Sequence, residues 1–288
     1  MTGIIVGIDG SDNGTAALRW AIREGTLRDL DVTAVHVWGT YDPTPASGEI
    51  DVAPAYNANE AREALATAVE AAVGAEAART LDQRVVAGQP ARGLLDAAEK
   101  AELLVVGARG VGGLRGWVLG SVAQQCLHHT RVPLAIVPGG DHEDGDRGPE
   151  RIVVGVDGSE ASRHAFEWAL DEARLRQATV DAVHAWHMPY STAYPATFPV
   201  PDSGAVEEGA RTVLDRIVDG GDARGLPHPV ERIVAPGAAA QVVLDVAQGA
   251  DLVVLGSRGL GGFQGLLLGS VTQHVANHLV CPLVVLPD

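Results

Sequence analysis

The chain is written twice. Residues 3–11 read GIIVGIDGS and residues 151–159 read RIVVGVDGS. Trp20 and Trp168 follow at matching places, then His36 with His184 and Trp38 with Trp186. Further on, VVGARGVGGLRGWVLGS (105–121) parallels VVLGSRGLGGFQGLLLGS (253–270), and the halves close alike on VPLAIVP (132–138) and CPLVVLP (281–287). The offset is 148 residues up to His184 and 149 from Gly237, so one net insertion falls between those two positions. A copy this long exceeds a solenoid unit and matches an independent domain. The expected organisation is a first domain over 1–138, a linker over 139–150 (GGDHEDGDRGPE, acidic and glycine-rich), and a second domain over 151–288.

Within each copy, apolar runs of strand length alternate with segments of helical periodicity. In the first half the expected strands are Gly3–Ile8, Val32–Val37, Leu81–Val86, Leu103–Val106 and Leu134–Val137. The expected helices are Thr15–Leu27, the alanine-rich Ala58–Arg79 (a solvated amphipathic helix), Ala91–Lys100 and Ser121–Thr130. The fold class is α/β: two tandem doubly wound domains, each a mainly parallel five-stranded sheet with helices on both faces. In such sheets a ligand binds beyond the carboxyl ends of the strands, where the strand order reverses.

Two loops per half lie at those ends. One follows strand one, as Gly7-Ile8-Asp9-Gly10-Ser11 and Gly155-Val156-Asp157-Gly158-Ser159. The other follows strand four as Gly-x2-Gly-x9-Gly-Ser: Gly107, Gly110, Gly120 and Ser121, then Gly256, Gly259, Gly269 and Ser270. Glycines let the backbone turn tightly and bring N–H groups close to phosphate oxygens. A helix opened by Gly-Ser offers unpaired N–H groups and a positive dipole end to an anion. Arg109 and Arg258 are placed to supply charge.

This spacing, twice in register with the opening strand and its aspartate, the His at the end of strand two and the closing proline-bounded strand, resembles the ATP-binding signature of the universal stress protein family. The resemblance covers nearly the whole chain. It implies Asp9 and Asp157 near the ribose and metal, and Val37 and Ala185 at adenine. Ribose and phosphates fall to Gly107, Arg109, Gly110, Gly113, Gly120, Ser121 and Val122, and to Gly256, Arg258, Gly259, Gly262, Gly269, Ser270 and Val271. Gly7 and Gly155 line the same pockets. The implied ligand is ATP with Mg²⁺, one site per half. Arg115 against Gln264 and Trp117 against Leu266 are differences that would make the sites unequal.

Plainer roles stand beside these. Asp9 and Asp157 also suit a turn or helix cap, and Ser121 and Ser270 a cap of the helix they open. Arg109 and Arg258 also suit solvated loop charges. His36 and His184 read as packed, hydrogen-bonded strand residues. Trp20 and Trp168 read as packing residues, and Trp38 and Trp186 as core or rim. His274 and His278 have zinc-compatible helical spacing but no third ligand nearby, so no metal site is expected. Cys126 and Cys281 do not align between halves and read as buried, inert thiols.

Composition narrows the function. A net charge of −16 argues against a general nucleic-acid binder. No apolar run is long enough for a membrane span, no signal peptide is evident, and two cysteines fit a reduced cytoplasmic setting. Lys100 is the sole lysine. There is no P-loop, pyrophosphatase loop or nucleophile elbow, so no catalytic residue is assigned. A dinucleotide-binding redox domain would carry its glycines after strand one, not strand four. The expectation is a regulatory adenine-nucleotide-binding stress-response protein, with a slow ATPase or nucleotide-dependent enzyme as the alternative and a purely structural dimerisation protein behind it. The family's dimer contact would here join Leu134–Val137 to Leu283–Leu286 within one chain as a pseudo-dimer, leaving room for further homodimerisation.

Overall fold

The computed structural model describes residues 3–39, 57–110, 119–140, 149–188, 202–261 and 268–287. The chain divides into two units, Met1–Glu143 and Asp144–Asp288. In unit 1 the order is β1 (Ile4–Gly7), α1 (Asp12–Arg28), β2 (Val32–Trp38), α2 (Ala58–Val73), α3 (Ala75–Thr80), β3 (Asp82–Ala87), α4 (Pro90–Ala97), β4 (Leu103–Gly107), α5 (Ser121–His129) and β5 (Leu134–Val137). Unit 2 runs β6 (Arg151–Gly155), α6 (Glu160–Arg176), β7 (Thr179–Trp186), α7 (Ser203–Gly220), β8 (Glu231–Pro236), α8 (Ala239–Val246), β9 (Leu252–Gly256), α9 (Ser270–Asn277) and β10 (Leu283–Leu286).

The strand order within unit 1 is β3-β2-β1-β4-β5, every described pairing being parallel. Unit 2 repeats it as β8-β7-β6-β9-β10. The chain steps outward from β1 to β3, then crosses back to β4. With right-handed crossovers, this reversal places α1 and α2 on one face and α4 and α5 on the other. The helices touch in those pairs, α1 with α2 and α4 with α5. The switch point therefore lies between β1 and β4, and between β6 and β9. The central strands are apolar because both faces are covered: Leu103 through Val106 and Leu252 through Leu255 are buried throughout.

Two boundaries differ instructively from the sequence reading. Helix α1 starts at Asp12, three residues before the expected Thr15, because the Ser11 side chain accepts the Gly14 N–H and caps it. The expected single helix over 58–79 is two helices, broken at Gly74, whose φ of +83° a helix cannot contain. Its amphipathic reading holds in α2, where Ala61, Leu65, Val69 and Ala72 form a buried stripe and most other residues are exposed. The extra residue of the second half falls between Trp186 and Glu231. Strand register equates Trp38 with Trp186 at one end, and Asp82 with Glu231 at the other.

Candidate functional site

The first loop is organised by its aspartate. Ser11 donates to Asp9 Oδ1 from both its N–H, at 3.0 Å, and its hydroxyl, at 2.6 Å. The same hydroxyl oxygen accepts the Gly14 N–H at 3.0 Å. Unit 2 repeats the arrangement: Ser159 N–H reaches Asp157 Oδ1 at 2.9 Å, and Ser159 Oγ accepts from Ser162 N at 3.1 Å. The intervening Gly10 and Gly158 have φ of +80° and +89°, which the turn requires. So the serines are the helix caps, and the aspartates orient them. Asp157 also joins the two loops, its Oδ2 accepting the Leu260 N–H at 2.7 Å. A Cβ at Gly110 or Gly259 would overlap the carboxylate of Asp9 or Asp157, so only glycine lets the second loop close over the first.

Burial alone would raise the Asp157 carboxyl, but hydrogen bonds from Ser159, Leu260 and Ser162 outweigh it and hold the group below the usual carboxylate range. A depressed folded value adds stability above the unfolded value of about 3.9, lost as pH falls through the folded one. Partial exposure keeps this modest. The difference in urea midpoint between the parent and Asp157→Asn should be flat down to about pH 5 and shrink below about pH 4.

The second loop ends in an open helix terminus. Gly120 N–H donates to Ala108 O at 2.8 Å and Gly269 N–H to Ser257 O at 2.8 Å, which pins each Gly-Ser beside the exit of β4 or β9. Gly120 and Gly269 are the N-caps of α5 and α9, and neither helix has a side-chain cap. The cap role considered for Ser121 and Ser270 does not hold, because each sits one residue inside its helix. The first intrahelical bonds come from Gln124 to Gly120 and Gln273 to Gly269. The N–H groups of Ser121, Val122 and Ala123, and of Ser270, Val271 and Thr272, thus have no helical acceptor. Both triplets line a cavity.

Those cavities measure about 490 Å³ in unit 1 and about 370 Å³ in unit 2. In unit 1 the walls gather Gly7, Asp9, Val37, Gly107, Arg109, Gly110, Gly120, Ser121 and Val122. In unit 2 they gather Gly155, Asp157, Ala185, Gly256, Arg258, Gly259, Gly269, Ser270 and Val271. Every described candidate residue therefore lines its own unit's cavity. Gly113 and Gly262, with Arg115, Trp117, Gln264 and Leu266, lie outside the described residues.

The other wall comes from β2 and α4, or β7 and α8. His36 Nδ1 lies 2.8 Å from Ile8 O, and His184 Nδ1 lies 2.6 Å from Val156 O. A carbonyl only accepts, so each ring carries its proton on Nδ1 and anchors the first loop. Leu94 and Val243 also line the cavities and went unsingled in the sequence. Their signal was their matching place on the short helix ahead of each unit's fourth strand. Gly7 makes room for Leu94, whose Cδ1 would stand 2.8 Å from a Cβ there. The units differ by a size exchange on this wall. Gly93 faces Val37 in unit 1, whereas the equivalent residues in unit 2 are Val242 and Ala185.

Other candidates fall elsewhere. Trp20 is buried on α1, and neither Trp38 nor Trp186 is among the residues lining these two cavities. Burial pushes both the Cys126 and Cys281 thiols up to about 12, leaving them unreactive. The His274 and His278 rings stack at 4.3 Å, with His278 Nδ1 2.8 Å from His274 O. Among the described residues no three His, Cys, Asp or Glu side chains gather as a metal site, and no helix is long and apolar enough to cross a membrane.

This geometry has relatives. A universal stress protein of Mycolicibacterium smegmatis is 35% identical over 292 residues, covering 98% of this chain and 96% of that one. One from Mycobacterium tuberculosis H37Rv is 32% identical over 290 residues, with 98% and 96% covered. Among solved structures, a universal stress protein from Archaeoglobus fulgidus aligns over 99% of this chain and 98% of its own at a TM-score of 0.65, with 18% identity, a likeness of fold. The model of the Universal stress protein family matches residues 1–138 and again 149–287. With both halves matched and full-length relatives above 30% identity, the chain belongs to the universal stress protein family, as a tandem of two such domains.

Proposed function

We propose that each unit binds an adenine nucleotide, ATP with Mg²⁺, and that the chain is a regulatory stress-response protein whose state follows occupancy of the two sites. The observation that carries this is the uncapped terminus of α5 and α9, where three residues whose N–H groups have no helical acceptor line a cavity together with loop glycines and an arginine. A self-capped helix such as α1 offers no such terminus. Phosphate oxygens suit these donors, and the positive helix end adds to the attraction. Asp9 and Asp157 bring carboxylates to the ribose and metal side, and Val37 or Ala185 an apolar surface for the base.

Mg²⁺ bound with the nucleotide would offset triphosphate charge at these sites. Among the described residues the cavity walls set no nucleophile beside a general base, and binding rather than turnover is the proposed activity, with trace hydrolysis at most. The buried thiols suit the cytoplasmic setting in which ATP is abundant. Pairing of Leu134–Val137 with Leu283–Leu286 as an intrachain pseudo-dimer stays within the proposal. Sedimentation of the first half alone as a stable monomer would count against it.

The test is thermal melting of nucleotide-stripped protein with Mg·ATP, alongside NADH and a steady-state phosphate-release assay. ATP should raise the melting temperature progressively with concentration, NADH should not, and release should stay at trace level. A shift with NADH alone, or sustained turnover, would overturn the reading.

A further inference from the structure

At the opposite end of the sheets from the nucleotide cavities, the units differ in one place. In unit 2, Arg151 opens β6, and both terminal nitrogens of its guanidinium are engaged. It donates to Asp181 Oδ2 at 2.6 Å and to the carbonyls of Val246 and Gln248 at 2.9 and 2.6 Å, at the C-terminal end of α8. Its backbone N–H donates to Asp251 Oδ2 at 2.8 Å. Carbonyls at a helix C-terminus with a facing carboxylate form a cation site, filled here by the unit's own side chain.

In unit 1 the equivalent of Arg151 is Gly3, and the equivalent of Asp181 is Thr33. The same backbone framework is kept: Glu102 N–H donates to Gly3 O at 2.9 Å, as Asp251 N–H does to Arg151 O at 2.9 Å. What changes is the filling. A cavity of about 440 Å³ opens there, lined by Gly3, Thr33, Ala97 and Glu99, the counterparts of Arg151 and its three guanidinium acceptors. Asp31 and Asp96 add carboxylates to its wall and Arg84 and Lys100 add cations, with Asp96 paired to Arg92 at 2.9 Å. Arg84 has no charged counterpart, since Ile233 stands in its place in unit 2. A Cβ at Gly3 would stand 2.7 Å from Asp31 O, so the chain cannot supply its own group from this position without moving β1.

We propose that this cavity is a second, separate ligand site that takes a guanidinium group from outside the chain. The guanidinium occupies the place that Arg151 fills in unit 2. Its donors meet the carbonyls of Ala97 and Glu99, and the carboxylates of Asp31 and Glu99 supply the charge that Asp181 supplies there. Two sources carry the same chemistry, a free guanidino compound and an arginine side chain presented by a peptide. The site stands independently of nucleotide binding at the other end of the sheet.

The experiment is a titration of the full ¹⁵N-labelled chain with ethylguanidinium at millimolar concentration, below the denaturing range, following the Gly3 and Glu102 amide resonances. Butylammonium and the capped tripeptide acetyl-Ala-Arg-Ala-amide are titrated in parallel. Saturable shifts are expected, weaker with butylammonium, which lacks the planar fork. Binding of ethylguanidinium assigns the site to a free compound; binding of the tripeptide alone assigns it to a presented arginine. The double variant Asp31→Asn with Glu99→Gln should bind roughly tenfold more weakly, the scale of one charge-assisted hydrogen bond. Arg84→Gln, which removes a like charge, should bind more tightly. No saturable shift with ethylguanidinium or with the tripeptide, or lost binding in Arg84→Gln, would overturn the proposal.

Discussion

Gly120→Glu is expected to weaken ATP binding in unit 1 by at least about 100-fold, close to 3 kcal/mol, while the fold stays intact. Gly120 has φ −66° and ψ 151°, angles open to any residue, so the substitution brings no backbone strain. A Cβ there would stand 3.2 Å from Arg109 Cα and 3.3 Å from Ala108 O, tight by a few tenths of an ångström. A carboxylate at an N-cap is favourable to the helix itself, typically by about 0.3–1 kcal/mol. The damage falls on the ligand. The new carboxylate competes for the N–H groups of Ser121, Val122 and Ala123 and repels the phosphates. Gly269→Glu should do the same in unit 2. Equilibrium binding and a urea melt on the same sample separate the two effects.

The second large effect is on stability. Gly107→Ala should cost about 1–3 kcal/mol and weaken the unit 1 site as well. The added Cβ would meet Asn13 C at 2.7 Å and Asn13 O at 2.8 Å. These are backbone atoms in the first turn of α1 and cannot swing aside. Relief requires α1 to lift from β4, which carries Ser11 away from Asp9. Gly256→Ala meets the same obstacle in unit 2, at Ala161 C, 2.8 Å away. Gly209→Ala is the control. Gly209 lies exposed inside α7 with nothing within 4 Å of its Cβ position, and should gain roughly 0.5–1 kcal/mol. Urea midpoints of the three variants check the ordering.

Much of this was legible because the chain states it twice. Repetition fixed the two-domain plan, and the alternation of β-branched runs with helical periods fixed the parallel sheets. The rule that ligands bind beyond the carboxyl ends of parallel strands singled out the loops after Gly7 and Gly107, while the strand order that puts the switch point between β1 and β4 needed the structure. The site's outer walls were harder. Leu94, Val243 and the size exchange between Gly93–Val37 and Val242–Ala185 depend on which face of α4 or α8 turns inward, and eight residues carry too little periodicity to show it. The break at Gly74 was hidden by the high helix propensity on either side. The roles of Ser11 and Ser121 needed the structure, because both follow a glycine ahead of a helix. Only geometry shows that Ser11 caps its helix while Ser121 lies inside one.

Calorimetric titration of the nucleotide-stripped chain with ATP and Mg²⁺ tests the central claim most directly. The account predicts two sites per chain in the parent and one in each of Gly120→Glu and Gly269→Glu. Absence of binding heat at millimolar ATP, with no change in melting temperature, would contradict it and make both glycine loops elements of the fold alone.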